Sequence, residues 1–355
     1  MNTKKQTGSH CSCTPGPQAQ SCGCSAGSPP EGEIGTATSI ITFANQLDHF
    51  LARWAWNRNG HRVEPGLYRL GNPIADSPVF ASANYTLSFD ALRSALAGLD
   101  AWILVLDTKG VNVWCAAGKG TFGTDELVRR IQSAGLESVV SHRKIIVPQL
   151  GAPGISWPEV LRKSGFTVEY GPVRARDLPE YLKTHSATPA MRRVEFPIAD
   201  RLVLAPVELI LALPMFIVAI ALWFLAGPVA ALAAVSTILA GTVLFPILLP
   251  FIPTQDFSTK GLILGVVVAL PFAFSVSTNP AQPSWADALS AMMVLLIIPA
   301  VVSYLALNFT GSTTFTSRTG VKKEIFRYVP VMAVMAVAGS VVGIAFCVSR
   351  FIGVI

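Results

Sequence analysis

From Leu202 onwards the chain holds only 6 Lys/Arg and 4 Asp/Glu, against 21 and 17 in the 201 residues before it. Apolar runs of bilayer length recur in this second half, at about 202–225, 229–250, 261–277, 286–308 and 329–349. A helix needs roughly 20 predominantly apolar residues to cross a hydrocarbon core, so residues 196–355 are expected to form an all-α transmembrane domain of five spans. With 14% charged residues and a mean hydropathy of +0.50, an ordinary water-soluble globule is excluded. Loops at 226–228 and 278–285 lack Lys and Arg. The loop at 309–328 carries Arg318, Lys322, Lys323 and Arg327, and Lys260 closes the other even-numbered loop. The positive-inside rule then puts both beside the N-terminal half, on the cytoplasmic face of the inner membrane. Glu208 and Asp287 fall near span ends, where an interfacial placement is expected in preference to a functional intramembrane carboxylate.

Nothing before Leu202 is apolar for long enough to be a spanning helix or a secretory signal, so this half is expected to stay in the cytoplasm with reduced thiols. The net charge of +6 is diffuse and no basic run is interleaved with aromatics, which argues against nucleic acid as a partner. Residues 1–35 are rich in Cys, Ser, Gly and Pro with almost no large apolar side chains, and read as a disordered tail. Its four cysteines, Cys11, Cys13, Cys22 and Cys24, form two C-x-C pairs, a candidate capture site for a soft two-coordinate metal such as Hg(II).

Residues 36–195 alternate helical and strand patterns. Helices are expected at 46–56, 89–99, 125–133, 157–163 and 178–184, and strands at 102–106, 144–147 and 167–170. Such alternation predicts an α/β domain, a Rossmann-like open and largely parallel sheet whose ligands sit beyond the strand C-terminal ends. Three loops belong to that edge: 108–123, 148–153 and 171–176.

The first of these loops begins where the strand at 102–106 ends. Asn112 is a good N-cap, 113–117 can make a short cap helix, and Gly118 can end it in the left-handed conformation. Cys115 sits in the middle of that helix beside Trp114, Ala116 and Ala117. Taken alone, a lone cysteine is more often a buried structural one. Gly118, Gly120 and Gly123 satisfy G-x-G-x-x-G, but ten residues separate Asp107 from Gly118, where a dinucleotide loop follows its strand almost at once. A nucleotide-binding membrane oxidoreductase remains an alternative on that motif, and a heavy-metal trafficking or transport protein on the C-x-C tail and the spans.

The segment Asn112-Val113-Trp114-Cys115-Ala116-Ala117-Gly118-Lys119 resembles the cap-helix signature of the mercury-methylating corrinoid proteins, the HgcA family, at every position. That family is related to the large subunit of the corrinoid iron–sulfur proteins, and the order of a corrinoid-binding domain followed by five spans is similar too. The resemblance implies a corrinoid cofactor with Cys115 as the lower axial ligand of its cobalt. It also implies methyl transfer to Hg(II), giving methylmercury, in an anaerobic host. A ferredoxin-like iron–sulfur protein (HgcB) is implied as reductant, and a methyltetrahydrofolate-linked corrinoid system as methyl donor. Trp114, Ala116 and Ala117 are then expected against the lower corrin face, and Asn112, Val113 and Gly118 are expected among the cofactor-binding residues of the same cap helix. Thr108, Thr121 and the loop Gln149, Leu150, Gly151, Ala152 could hydrogen-bond corrin amides or the displaced nucleotide tail, or serve ordinary loop chemistry. Lys119 could pair with a corrinoid phosphate or cap the helix. The absence of D-x-H-x-x-G agrees with a cysteine in place of a histidine ligand.

Overall fold

A computed structural model of the chain describes residues 34–57, 60–278, 282–313 and 316–352. The four tail cysteines lie outside the described residues. The first half runs β1 (Gly35–Ala37), α1 (Phe43–Arg53), β2 (Gly66–Leu70), β3 (Val79–Ala83), α2 (Thr86–Ala95), β4 (Ala101–Leu106), α3 (Val113–Lys119), α4 (Thr124–Ser133), α5 (Leu136–Val139), β5 (Lys144–Val147), α6 (Trp157–Ser164), β6 (Thr167–Tyr170) and α7 (Leu178–Thr184). Its strands form one mixed sheet in the order β1-β2-β4-β3-β5-β6. β3, β4, β5 and β6 are parallel neighbours, whereas β2 runs antiparallel to β4 and carries β1 with it. The expected parallel sheet is therefore confined to β3, β4, β5 and β6. β1, β2 and β3 were not foreseen: they are three to five residues long, and Val79-Phe-Ala-Ser-Ala83 is buried on both faces, so no polar alternation marks it.

β4 shows how the two faces are filled. Trp102, Leu104 and Leu106 point into one core with Leu127, Ile131 and Val160 of α4 and α6; Ala101, Ile103 and Val105 point into the other with Phe89, Leu96 and Tyr181. A strand buried on both sides reads as an unbroken apolar run, which is why β4 was legible.

The second half continues with α8 (Pro189–Arg192), α9 (Ile198–Leu202), α10 (Ala205–Leu211), α11 (Leu213–Ala226), α12 (Pro228–Leu239), α13 (Phe245–Leu248), α14 (Phe257–Val276), α15 (Ser284–Asn308) and α16 (Arg318–Phe351). Among the described residues, four helices are long and apolar enough to cross a bilayer: Pro228–Leu248, Phe257–Val276, Ser284–Gly311 and Thr319–Phe351. A fifth span exists only if the pair Ile198–Leu211 and Leu213–Ala226, bent by 60°, counts as one. The run expected at 202–225 is thus a broken element. Two further expectations change. Lys322, Lys323 and Arg327 lie on the first turns of α16 and not in a loop, and Lys260 is buried, its Nζ donating to the Ile252 carbonyl. A buried ammonium is tolerated only with such a partner. α14 and α15 approach closely because Gly261 and Gly265 face Ser303 and Pro299, where an added Cβ would come within 2.7 and 2.5 Å of a backbone carbon.

Candidate functional site

The parallel strands β3, β4, β5 and β6 deliver their C-terminal ends to one edge, and a cleft of about 560 Å³ opens there. From the α/β half it is bordered by Ser82 at the end of β3 and Tyr85 after it, Asn112 to Cys115 after β4, Pro148 and Leu150 after β5, and the turn from Gly171 after β6. A ligand cleft beyond the carboxyl ends of the strands is the placement such sheets favour.

Local chemistry builds α3 at this edge. The Asn112 side chain accepts the Cys115 backbone N–H at 2.8 Å and closes the first turn. The helix ends at Gly120, at φ 84°, two residues beyond the Gly118 expected to end it. Val113, Trp114 and Cys115 line the cleft, with Cys115 half-buried. Ala116 and Ala117, expected against a ligand face, are not among the lining residues: both are buried in the core with Phe122 and Leu127. On a helix of 3.6 residues per turn successive side chains are about 100° apart, so the first turn faces the cleft and the two residues after Cys115 come round to the core behind the helix. Their smallness serves the packing behind the helix, where the turn Gln149–Gly154 lies against them.

The loop from β4 to α3 is held under tension. Lys109 has φ 61° and Gly110 φ 72°, two successive left-handed residues, and a lysine there is strained. Buried Asn84, just past β3, supplies the restraint: its Oδ1 accepts from Thr108 N (3.0 Å), Thr108 Oγ1 (2.8 Å) and Gly110 N (3.0 Å). Asn84 was not foreseen, because its strand was not. Asn84→Leu leaves the Thr108 and Gly110 backbone N–H groups without this acceptor, the Thr108 hydroxyl keeping the Val111 carbonyl, and is expected to lower stability by about 3 kcal/mol. Thermal melting of the full chain reads this, and an unchanged melt would show that the loop does not depend on Asn84.

The neighbouring Asp107 is desolvated, which disfavours its charge, but hydrogen bonds from the Lys109 ammonium and backbone N–H, with the charges of Lys109 and Arg130, outweigh this and hold its carboxyl below the usual range.

The other expected residues divide. Leu150 lines the cleft. Thr108 is wholly buried and braces its loop, its hydroxyl also reaching the Val111 carbonyl at 2.7 Å. Thr121 is half-buried and turned to the Ala116 carbonyl. Gln149 accepts from Arg192 Nη1 at 2.5 Å. Gly151 is buried under the Phe122 ring, and Ala152 lies in the same turn. Lys119 is exposed in the last helical turn, where a cation suits the dipole. None of Gly118, Gly120 and Gly123 borders the cleft; Gly118 is mid-helix and Gly123 caps α4, so the dinucleotide loop geometry is not formed.

Among the described residues, no histidine borders the cleft. His49 pairs with Asp90, His61 with Asp48 and the Trp56 carbonyl, His142 with the Ser77 carbonyl and His185 with Glu169. Among the described residues, no group of three His, Cys, Asp or Glu is placed to hold a metal ion. The soft donor on the cleft wall is the Cys115 thiol.

Residues 54–176 match the family described as CO dehydrogenase/acetyl-CoA synthase delta subunit. The chain is similar to the acetyl-CoA decarbonylase/synthase complex subunit gamma of Methanopyrus kandleri, with 34% identity over 128 residues, 36% of this chain and 27% of the relative. It is also similar to subunit gamma 2 of that complex from Methanosarcina mazei, with 30% identity over 158 residues (43% of this chain, 33% of the relative). The subunit gamma of Methanocaldococcus jannaschii is 31% identical over 130 residues, 36% of this chain and 26% of the relative. The chain thus spans a third or less of the length of these relatives. The matched stretch contains the cap helix and the strand ends around the cleft, and stops before the helices of the second half.

Proposed function

We propose that the chain is a membrane-anchored, corrinoid-dependent methyltransferase that passes a methyl group to Hg(II), giving methylmercury. One observation carries the reading: Cys115, within an eight-residue segment that resembles the mercury-methylating corrinoid proteins, stands on the wall of the cleft at the sheet's ligand edge. The similarity of residues 54–176 to subunits of acetyl-CoA decarbonylase/synthase complexes supports a corrinoid-type domain and protein partners.

The residues present fit such a group. A corrinoid needs a lower ligand for cobalt and a largely apolar wall, and the cleft offers one soft thiol beside Val113, Trp114 and Leu150 with every described histidine engaged elsewhere. A corrinoid held there by Cys115 would supply a cobalt centre for methyl transfer, and the Cys115 thiolate would be a stronger and softer donor to it than an imidazole. Asn112 fixes the backbone of Cys115, and so the place of this residue on the cleft wall, before any ligand arrives. Trp114 presents a broad apolar surface beside it, and the Asn84-braced loop sets the depth of the helix. A ferredoxin-like iron–sulfur protein is the proposed reductant, and a methyltetrahydrofolate-linked corrinoid system the proposed methyl donor. The proposed location is the inner membrane with the α/β half in the cytoplasm, supported by the basic start of α16.

The test is anaerobic: full-length protein is incubated with cobalamin and a methyl donor, and methylmercury formed from Hg(II) is measured with the cobalt-ligand spectrum. Methylmercury formed in step with thiolate-ligated corrinoid supports the reading; a protein that takes up no corrinoid refutes it. The tail contributes capture of the substrate ion by Cys11, Cys13, Cys22 and Cys24. Replacing all four with Ser is expected to lower methylation at limiting Hg(II) and leave it unchanged at saturation, since only local concentration is lost. Equal rates at every Hg(II) concentration would reject the capture role.

A further inference from the structure

We infer that the membrane half is part of the ligand site itself and supplies a second, pre-formed wall to the cleft. The inference rests on the corrinoid reading for the ligand's identity. Phe196, Asp200, Leu204, Val207, Gly311 and Ser312 border the same space as Trp114 and Cys115. All six lie outside residues 54–176, the stretch that matches the family.

These residues are fixed from behind. Buried Arg201 donates from Nε to the Phe196 carbonyl (3.0 Å), and from Nη1 to the carbonyls of Pro246 and Ile247 at 3.1 and 2.8 Å, tying α9 to α13. The Phe196 ring stacks on Phe309 with centroids 6.4 Å apart, and Phe309 meets Phe245 edge-on at 6.0 Å, deep in the core of the helical half. Ser312 donates from Oγ to the buried Glu208 carboxylate at 2.6 Å. A guanidinium and a carboxylate buried among apolar helices are costly without partners; here their bonds set the shape of the cleft wall.

The two halves are also fastened to each other at the cleft. Arg174, on the turn after β6, donates from Nη2 to the Asp200 carboxylate and, at 3.1 Å, to the Glu195 carbonyl. Ligand clefts concentrate at such seams between domains, and a wall set before binding spares the cost of ordering it. The membrane half therefore adds affinity for the ligand beyond anchoring the chain.

The test uses full-length protein in detergent, incubated anaerobically with cobalamin and gel-filtered, with corrinoid retained per chain read from visible absorbance. Val207→Trp and Ser312→Trp, which fill the cleft from the membrane side, are expected to weaken retention about ten-fold or more. Ile217→Trp, on the exposed face of α11 and outside the cleft, is expected to retain the wild-type amount. Arg174→Asp should lower retention, and Arg174→Asp combined with Asp200→Arg should restore it, a rescue that a misfolded chain cannot give. Wild-type retention in Val207→Trp, Ser312→Trp and Arg174→Asp alike overturns the second wall and leaves the corrinoid reading standing. Wild-type protein that retains no cobalamin overturns the corrinoid reading itself.

Discussion

Replacing Cys115 by alanine is expected to reduce methylmercury formation to background, a loss well above 100-fold. Residues that merely orient a metal ligand typically cost about 10–100-fold when removed, and Cys115 is the proposed ligand itself. The change deletes one sulfur from a half-buried position on the cleft wall and leaves the Asn112 cap, which bonds the backbone N–H of residue 115, intact. The fold should therefore survive and the chemistry should not. Corrinoid retained by Cys115→Ala should show water in place of thiolate in its cobalt spectrum, and Cys115→His should bind corrinoid yet transfer methyl slowly, because imidazole donates less strongly. Full activity per bound corrinoid in Cys115→Ala would remove the thiolate from the mechanism.

The second large effect is expected at Gly154, which is far less conspicuous in the sequence. A Cβ there would lie 2.1 Å from the Phe122 carbonyl oxygen and 3.1 Å from the Ala117 Cα, so backbone would have to move. Gly154→Val should cost about 2–4 kcal/mol, lowering the melting temperature by roughly 10 °C, and should push α3 toward the cleft, so corrinoid retention falls as well. Gly118→Ala is the contrast. Its Cβ would meet nothing within 4 Å, and an alanine inside a helix is favoured over glycine by about 1 kcal/mol, so stability should hold or rise. Equal melting of the wild type and Gly154→Val would show that the turn Gln149–Gly154 does not set the position of the cap helix.

Parts of this molecule were legible from residue order because their signals are local. The strand Ala101–Leu106 is an unbroken apolar run, the Asn112 cap needs only the three residues after it, and apolar runs of bilayer length declare themselves. The short strands β1 to β3 were not legible, since three to five residues without alternation carry no period, and with β3 went Asn84 and the restraint on Lys109. The burial of Ala116 and Ala117 is not legible in residue order, because small residues beside a cysteine suit a close ligand and close packing equally well; the core they meet includes the turn Gln149–Gly154, which is distant in sequence.

By itself the sequence determined the division into a polar and an apolar half, the alternation that builds a sheet with a ligand edge, and the position of Cys115 just beyond a strand. Each follows from hydropathy or spacing within a window of about ten to twenty residues. Only the tertiary structure decided that Arg201 and Glu208 are buried braces, that Lys260 leaves its loop for the interior, and that Phe196, Val207 and Ser312 share a cleft with Trp114 and Cys115. These groups are brought together by long-range packing. A buried charge reveals its role only when the carbonyl or hydroxyl that satisfies it, 45 or 104 residues away for Arg201 and Glu208, has been placed beside it.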